Sequence, residues 1–173
     1  MTPRNSTIPM RGFSQSLPMA LLRAREAVMR RFRPGLRSRG VTEQQWRILR
    51  ALAHHGPLEV TALAEATFLL APSLSRILPD LEARGLISRR QMDSDLRRAQ
   101  VSLEPKGLRL IAAHAPDSED AYDSIARSFG QERLDLLFRL LRELEETLAA
   151  RGKSTLRQPA GGARGGARKR VAR

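Results

Sequence analysis

Ser73, Ser75 and Arg76 follow closely on Pro72 in the segment APSLSRILPDLEARG (Ala71–Gly85). Their chemistry is that of recognition. Hydroxyls reach phosphate oxygens or base edges, and a guanidinium fork matches the paired acceptors of guanine in the major groove. Pro72 suits the first turn of a helix, where its missing N–H costs nothing. Leu74, Ile77, Leu78 and Leu81 then form an inward stripe, and Arg76, about 200° around the helix from Leu74, points outward. A second group is DSDLRRA (Asp93–Ala99), predicted as a charged turn between two strand-like runs, Leu86–Met92 and Gln100–Leu103. Arginine at a hairpin tip suits the narrow, negative minor groove. Arg97 and Arg98 supply it, and Asp95 is placed to hold a neighbouring arginine. Arg84, Arg89 and Arg90 flank the unit for contact with phosphates. A basic turn taken alone is most often a solvated hairpin. Together, in this order, these residues point to double-stranded DNA.

Other chemistry is poorly served. His54 and His55 are adjacent and so face different sides of a helix, and His114 is far off in sequence. No metal-ligand spacing, phosphate-cradling glycine loop or nucleophile elbow is present. The chain has no cysteine, which excludes disulfides, thiolate metal sites and thiol redox sensing. The expectation is a protein that is not an enzyme and carries no cofactor or metal. The formal charge is +13 over 173 residues, which favours a polyanionic partner. Eight Lys/Arg and no acid fall in 151–173, leaving +5 for the rest. The longest uncharged run, Gly12–Leu22, is too short for a membrane span. No signal-peptide-like apolar run opens the chain, so a cytoplasmic protein with no membrane partner is expected.

The positioning elements can be read from periodicity. Residues 1–13 read as a disordered arm. A helix is expected from Ser14, since Leu17, Leu21, Ala24, Val28 and Phe32 recur at helical steps, with an arginine-rich opposite face that is either solvated or anion-binding. Pro34-Gly35 should kink or end this helix. Thr42 and Gln45 have capping-box spacing and start a helix to about His54 that buries Trp46, Ile48, Leu49 and Leu52. A short helix, Val60–Thr67, follows. The apolar turn Phe68-Leu69-Leu70 is expected to pack against something, either core or a ligand pocket. Pro79 predicts a local bend, and Gly85 is a helix-ending glycine. Pro105 opens a long helix that Pro116 should kink or break. A last helix, Gln131 to about Ala150, carries Leu134, Leu137, Leu141, Leu144 and Leu148 at 3-4-3-4 spacing, a seam that needs a partner helix within one chain or across two. From 152 the basic Gly/Arg-rich tail should not fold alone. The fold class is therefore mainly α with a small β-hairpin wing. It comprises a winged helix-turn-helix DNA-binding domain over 41–104, a dimerisation helix over 14–40 and C-terminal dimerisation helices over 105–151.

LAEATFLLAPSLSRILPDLEARGLISRR (Leu63–Arg90) followed by DSDLRRAQVSLEPKG resembles the MarR family of bacterial winged-helix regulators. The matching features are the LExxGLIxR-type run, the D-x-R wing (Asp95, Arg97) and the V-x-L…K-G exit (Val101–Gly107). The match covers about residues 15–150. REAVMRRFRPGL and GVTEQQWRILRAL resemble, within the family, regulators of aromatic-acid catabolism. Departures are Glu104 where the family has a capping Thr, Pro79 in mid-helix, and the basic tail. The resemblance implies an obligate homodimer with interlocked first and last helices, acting mostly as a repressor on an inverted repeat. It also implies release from DNA by a small aromatic carboxylate, of hydroxyphenylacetate, hydroxybenzoate or hydroxynicotinate type.

An aromatic acid needs an apolar slot and one cationic anchor. Met29 and Trp46 are candidates for the slot, Arg25, Arg47 or Arg50 for the anchor, and Leu70 for the place where the effect of ligand binding enters the DNA-binding unit. Each also has a plainer reading: core for Trp46, a structural or surface ion pair for each arginine. Two rival functions remain at this level. One is a sequence-tolerant architectural nucleic-acid-binding protein driven by the basic tail. The other is a regulator without an effector.

Overall fold

A computed structural model of the chain describes residues 12–92 and 95–155. A short 3₁₀ turn, Phe13–Gln15, leads into six helices: α1 (Leu17–Ser38), α2 (Glu43–His55), α3 (Val60–Thr67), α4 (Ala71–Ala83), α5 (Pro105–Phe129) and α6 (Gln131–Thr155). Three strands, β1 (Leu58–Glu59), β2 (Ile87–Met92) and β3 (Asp95–Leu103), form one antiparallel sheet in the order β1-β3-β2. Helix, turn, helix and hairpin thus follow one another as expected. The chain divides into two compact units, Met1–Ile125 and Ala126–Arg173. Among the described residues no helix is long and apolar enough to cross a membrane.

The core of the first unit gathers one face from each element around the helix-turn-helix. Ile48, Leu49 and Leu52 of α2, Leu63 of α3, and Leu74, Leu78 and Leu81 of α4 meet Leu86, Ile87, Val101 and Ile111. Val101 is the pivot of the sheet. It pairs with Leu58 on one side and Arg89 on the other and is fully buried. β1 left no signal in the sequence, because two residues are too few to show alternation.

The predicted capping box at the start of α2 is present. Thr42 Oγ1 accepts from the Gln45 amide at 3.2 Å, and Gln45 Oε1 accepts from the Thr42 amide at 2.8 Å. Gln45 Nε2 also donates to Asp80 at 2.8 Å, joining α2 to α4. Thr42→Ala removes one of the two bonds. It should lower stability by about 1 kcal/mol, a fall in Tm of roughly 3 °C, read by thermal unfolding. An unchanged Tm would show that Gln45 alone satisfies this helix end.

Pro34 does not end its helix and Pro116 does not break its own, so that part of the two expectations is corrected. α1 continues through Pro34 to Ser38, α4 runs through Pro79 as one helix, and α5 is neither broken nor ended at Pro116. A proline removes one backbone bond and disfavours an isolated helix, but these helices are held by packing on both sides of it. Leu74, Leu78 and Leu81 are buried around Pro79, and Ile111, His114 and Ala121 around Pro116. Gly35 beside Pro34 has a different purpose. A Cβ there would lie 2.8 Å from His114 Cε1 and 3.0 Å from Asp117 Cβ, so the glycine lets α1 and α5 cross closely.

Three other boundaries shift. The first α-helix begins at Leu17 with Ser16 as its N-cap, while Phe13–Gln15 form the 3₁₀ turn. β3 begins at Asp95, so the predicted turn over Asp93–Ala99 is mostly strand. Gln91 pairs with Ala99, and the ladder is irregular between Gln91 and Met92. Ladder hydrogen bonds outweigh the charged composition that suggested a loop. α6 extends to Thr155, past the expected start of the tail at 152. Of the apolar turn after α3, only Leu69 is buried. Phe68 and Leu70 are 83% and 77% exposed.

Candidate nucleic-acid interface and ligand cavity

The helix that carries Ser73, Ser75 and Arg76 is fixed by its buried leucines and by its ends. At the C-terminus Gly85 takes φ +67, and the Leu86 amide donates back to Leu81 O at 2.9 Å. This left-handed closure turns the chain directly into β2. On the opposite face Pro72, Ser75, Arg76 and Pro79 are exposed and Ser73 half-buried. Ser75 Oγ donates to Ala71 O at 3.1 Å. Among the described residues Arg76 has no ion-pair partner, so its guanidinium is available to an external acceptor.

The flanking arginines differ from one another. Arg89 is committed: Nε donates to Glu82 at 2.8 Å and its amide to the other carboxylate oxygen at 3.1 Å. These bonds hold the Glu82 carboxyl below its ordinary value. Arg84 lies 3.4 Å from Asp80, and its carbonyl accepts from Lys106 at 2.7 Å. Arg90 is exposed and, among the described residues, unpaired. The backbones of Asp95, Arg97 and Arg98 lie in β3. Their side chains, and all of Asp93, fall outside the described residues.

A cavity of about 300 Å³ lies between α1, α2 and α5. Val28, Met29, Phe32, Trp46, Ile111 and Tyr122 make its walls largely apolar and aromatic, and Arg50, Ser118 and Glu119 add polar groups. The Phe32 and Tyr122 rings meet edge to face at 5.0 Å. Of the residues proposed from sequence, Met29, Trp46 and Arg50 come together here. Arg25 and Arg47 line an adjoining hollow, which also includes Met29, Trp46 and Arg50. Both have other engagements. Arg47 Nη1 donates to Thr67 O at 2.8 Å, closing the C-terminus of α3. Arg25 pairs with Glu43 at 2.7 Å and Glu26 at 2.9 Å. Arg33 binds Glu43 as well, and Glu26 at 2.6 Å. Burial would raise the Glu43 carboxyl, but hydrogen bonds and charge from Arg33 and Arg25 bring it below its ordinary value. Leu70 lines neither hollow.

Sequence reasoning passed over His114, Phe32 and Tyr122. His114 is 1% exposed, with its ring edge on Trp46 at 4.5 Å. Nδ1 lies 3.5 Å from Asp117 Oδ2, yet neither ring nitrogen makes a hydrogen bond among the described residues. Asp117 in turn takes Arg39 at 3.3 Å. His114 therefore backs the tryptophan that walls the cavity. Helical spacing had placed Phe32 on an apolar face but could not bring it to Tyr122, since 90 residues separate them.

A sequence model of the MarR family matches residues 39–98. The HTH-type transcriptional regulator FarR of Neisseria gonorrhoeae is 39% identical over 137 residues, which is 79% of this chain and 94% of that protein. The homoprotocatechuate degradative operon repressor of Escherichia coli is 40% identical over 128 residues, 74% of this chain and 86% of that protein. The crystal structure of NadR in complex with 4-hydroxyphenylacetate is similar at a TM-score of 0.67 and 39% identity, covering 79% of this chain and 97% of that one.

Proposed function

The chain belongs to the MarR family of transcriptional regulators, and from that premise we propose that it is a homodimeric repressor of a palindromic operator, released by a small aromatic carboxylate. The observation that carries the effector is the cavity between α1, α2 and α5. Its aromatic walls suit a six-membered ring, and Arg50 is a cation at its edge that is exposed and, among the described residues, unpaired. A carboxylate on Arg50 and a ring between Trp46, Phe32 and Tyr122 satisfy both halves of such a ligand. Ser118 and Glu119 offer acceptors for a ring hydroxyl. Hydroxyphenylacetates, hydroxybenzoates and hydroxynicotinates all meet this description.

Exposed apolar side chains support the dimer. α1 presents Leu17, Leu21 and Leu22, and α6 presents Leu136, Leu137, Phe138, Leu140, Leu141 and Leu148. Apolar stripes of this length on two helices favour self-association. A two-fold dimer sets two copies of α4 about 34 Å apart, in successive major grooves, so that the operator mirrors the protein's symmetry. Ligand dislodges such a dimer only through a higher affinity for the DNA-incompetent spacing.

The test is an operator selected from random duplex DNA, with binding followed by fluorescence anisotropy while 4-hydroxyphenylacetate and its relatives are added. At least one acid should release the DNA and raise Tm. Arg50→Ala should bind DNA as before yet need roughly ten-fold more ligand, the value of one charge-assisted hydrogen bond. If no acid of the three classes shifts either signal, the effector part of the proposal is wrong.

A further inference from the structure

Among the described residues, positive φ occurs at Gly40, Gly56, Gly85, Gly130 and one residue with a side chain, Phe68 at φ 51. Phe68 occupies the position after α3 where glycine is usual, and the backbone needs the turn. The Phe68 amide donates to Glu65 O at 3.2 Å and the Leu69 amide to Ala64 O at 3.1 Å. A phenyl ring adds nothing to that turn, and a β-carbon in this conformation is unfavourable. Nor does the ring gain burial. Phe68 and Leu70 are the two most exposed large apolar side chains among the described residues, at 83% and 77%.

Leu70 breaks a second local preference. It is the N-cap of α4, where Ser, Thr, Asp or Asn would accept from an orphan amide, and no side-chain cap is made. Two neighbouring choices thus disfavour the free fold, and both place apolar groups at the same end of α4. Strain that the fold does not need points to a role outside the protein. The ligand cavity is not that role, because neither residue lines it.

The surroundings say what covers this end. The turn leads directly into Pro72 and Ser73, and Arg76, with a guanidinium unpaired among the described residues, stands on the exposed face of the same helix. Outside 151–173 the chain still carries +5. A polyanion that also offers an apolar group at the depth of a helix tip is duplex DNA, whose major groove displays the C5-methyl of thymine. Resting on the operator-binding function proposed above, we propose that Phe68 and Leu70 read thymine methyl groups in each half-site. They would supply a specificity that hydrogen-bonding side chains alone cannot provide.

The experiment is a thymine-to-deoxyuridine scan of the selected operator with the full chain, Phe68→Gly and Leu70→Ala. Deoxyuridine removes only the methyl. Removing one methyl per half-site should weaken wild-type binding by about four-fold for each contact, while the variant that lacks the partner side chain should not respond to that change. Phe68→Gly should keep or raise Tm while it weakens operator binding, opposite signs that a purely structural residue would not give. The inference is overturned if both variants bind like wild type, if every deoxyuridine costs wild type and variants equally, or if Phe68→Gly lowers Tm. It is equally overturned if the variants bind less well because their oligomeric state has changed. A wild-type chain that selects no sequence at all instead overturns the operator-binding function itself, and this inference with it.

Discussion

Arg76→Ala is expected to lower operator affinity roughly a hundred-fold or more at constant salt. A bidentate arginine–guanine pair is worth about 1–3 kcal/mol of discrimination, and a two-fold dimer loses it twice. Arg76 is exposed and has no ion-pair partner among the described residues, so the variant should unfold at the wild-type temperature. Selection with Arg76→Ala should relax one base position in each half-site and leave the others intact. Arg90→Ala is the contrast. Losing an arginine from a phosphate weakens binding to all sequences alike and reduces the salt dependence by about one counterion per contact. Arg89→Ala is less informative, since it also releases Glu82. If Arg76→Ala binds within three-fold of wild type, α4 does not read bases through this residue.

Gly107→Ala should be the most destabilising single-methyl change in the wing region. Gly107 is buried in the first turn of α5. An added Cβ would stand 2.3 Å from Leu86 O and 2.7 Å from Leu103 Cδ1. The leucine tip can move, but the carbonyl cannot easily do so, because it already accepts from the Glu104 amide at 3.0 Å. That bond ties the start of α5 to the start of β2. Alanine would gain about 1 kcal/mol of helix propensity. Overpacking against backbone and loss of the Glu104 bond together cost more, leaving a net loss of about 3 kcal/mol. Tm should fall by about 10 °C, measured by calorimetry or urea titration. A Tm equal to or above wild type would mean that α5 can slide away from β2 without penalty.

These predictions differ in how much of each could be seen in advance. Arg76 was placed correctly on an outward face by helical geometry alone, since its angle from Leu74 depends only on residue count. The role of Gly107 was not. It stood in the family-like exit Val101–Gly107, yet the carbonyl it must clear lies 21 residues earlier in the chain. Gly35 was misread for the same reason. Beside Pro34 it looked like a helix end, but it is the point where His114 and Asp117 press on α1.

The candidate ligand residues divide along the same line. Trp46, Met29 and Arg50 converge on one cavity; one turn of α2 sets Arg50 beside Trp46, while Met29 joins them only through the packing of α1. Arg47 and Arg25 were equally plausible anchors by type. Their commitments to Thr67 O and to Glu43 depend on where α3 ends and on how α1 meets α2, which spacing within one element does not contain.

The sequence by itself therefore determined what depends on near neighbours: the capping box at Thr42, the inward leucines of α4, the turn at Gly85, the order of helix-turn-helix and hairpin, and the outward Arg76. Hydrogen bonds and side-chain angles within a turn or two decide these. Only the tertiary structure decided which helices survive their prolines, which arginines are already paired, that Phe32, Trp46 and Tyr122 share a cavity, and that Phe68 and Leu70 are exposed and do not line it. Each of those depends on contacts between residues far apart in the chain. There the free energy of packing outweighs the local preference of any single residue.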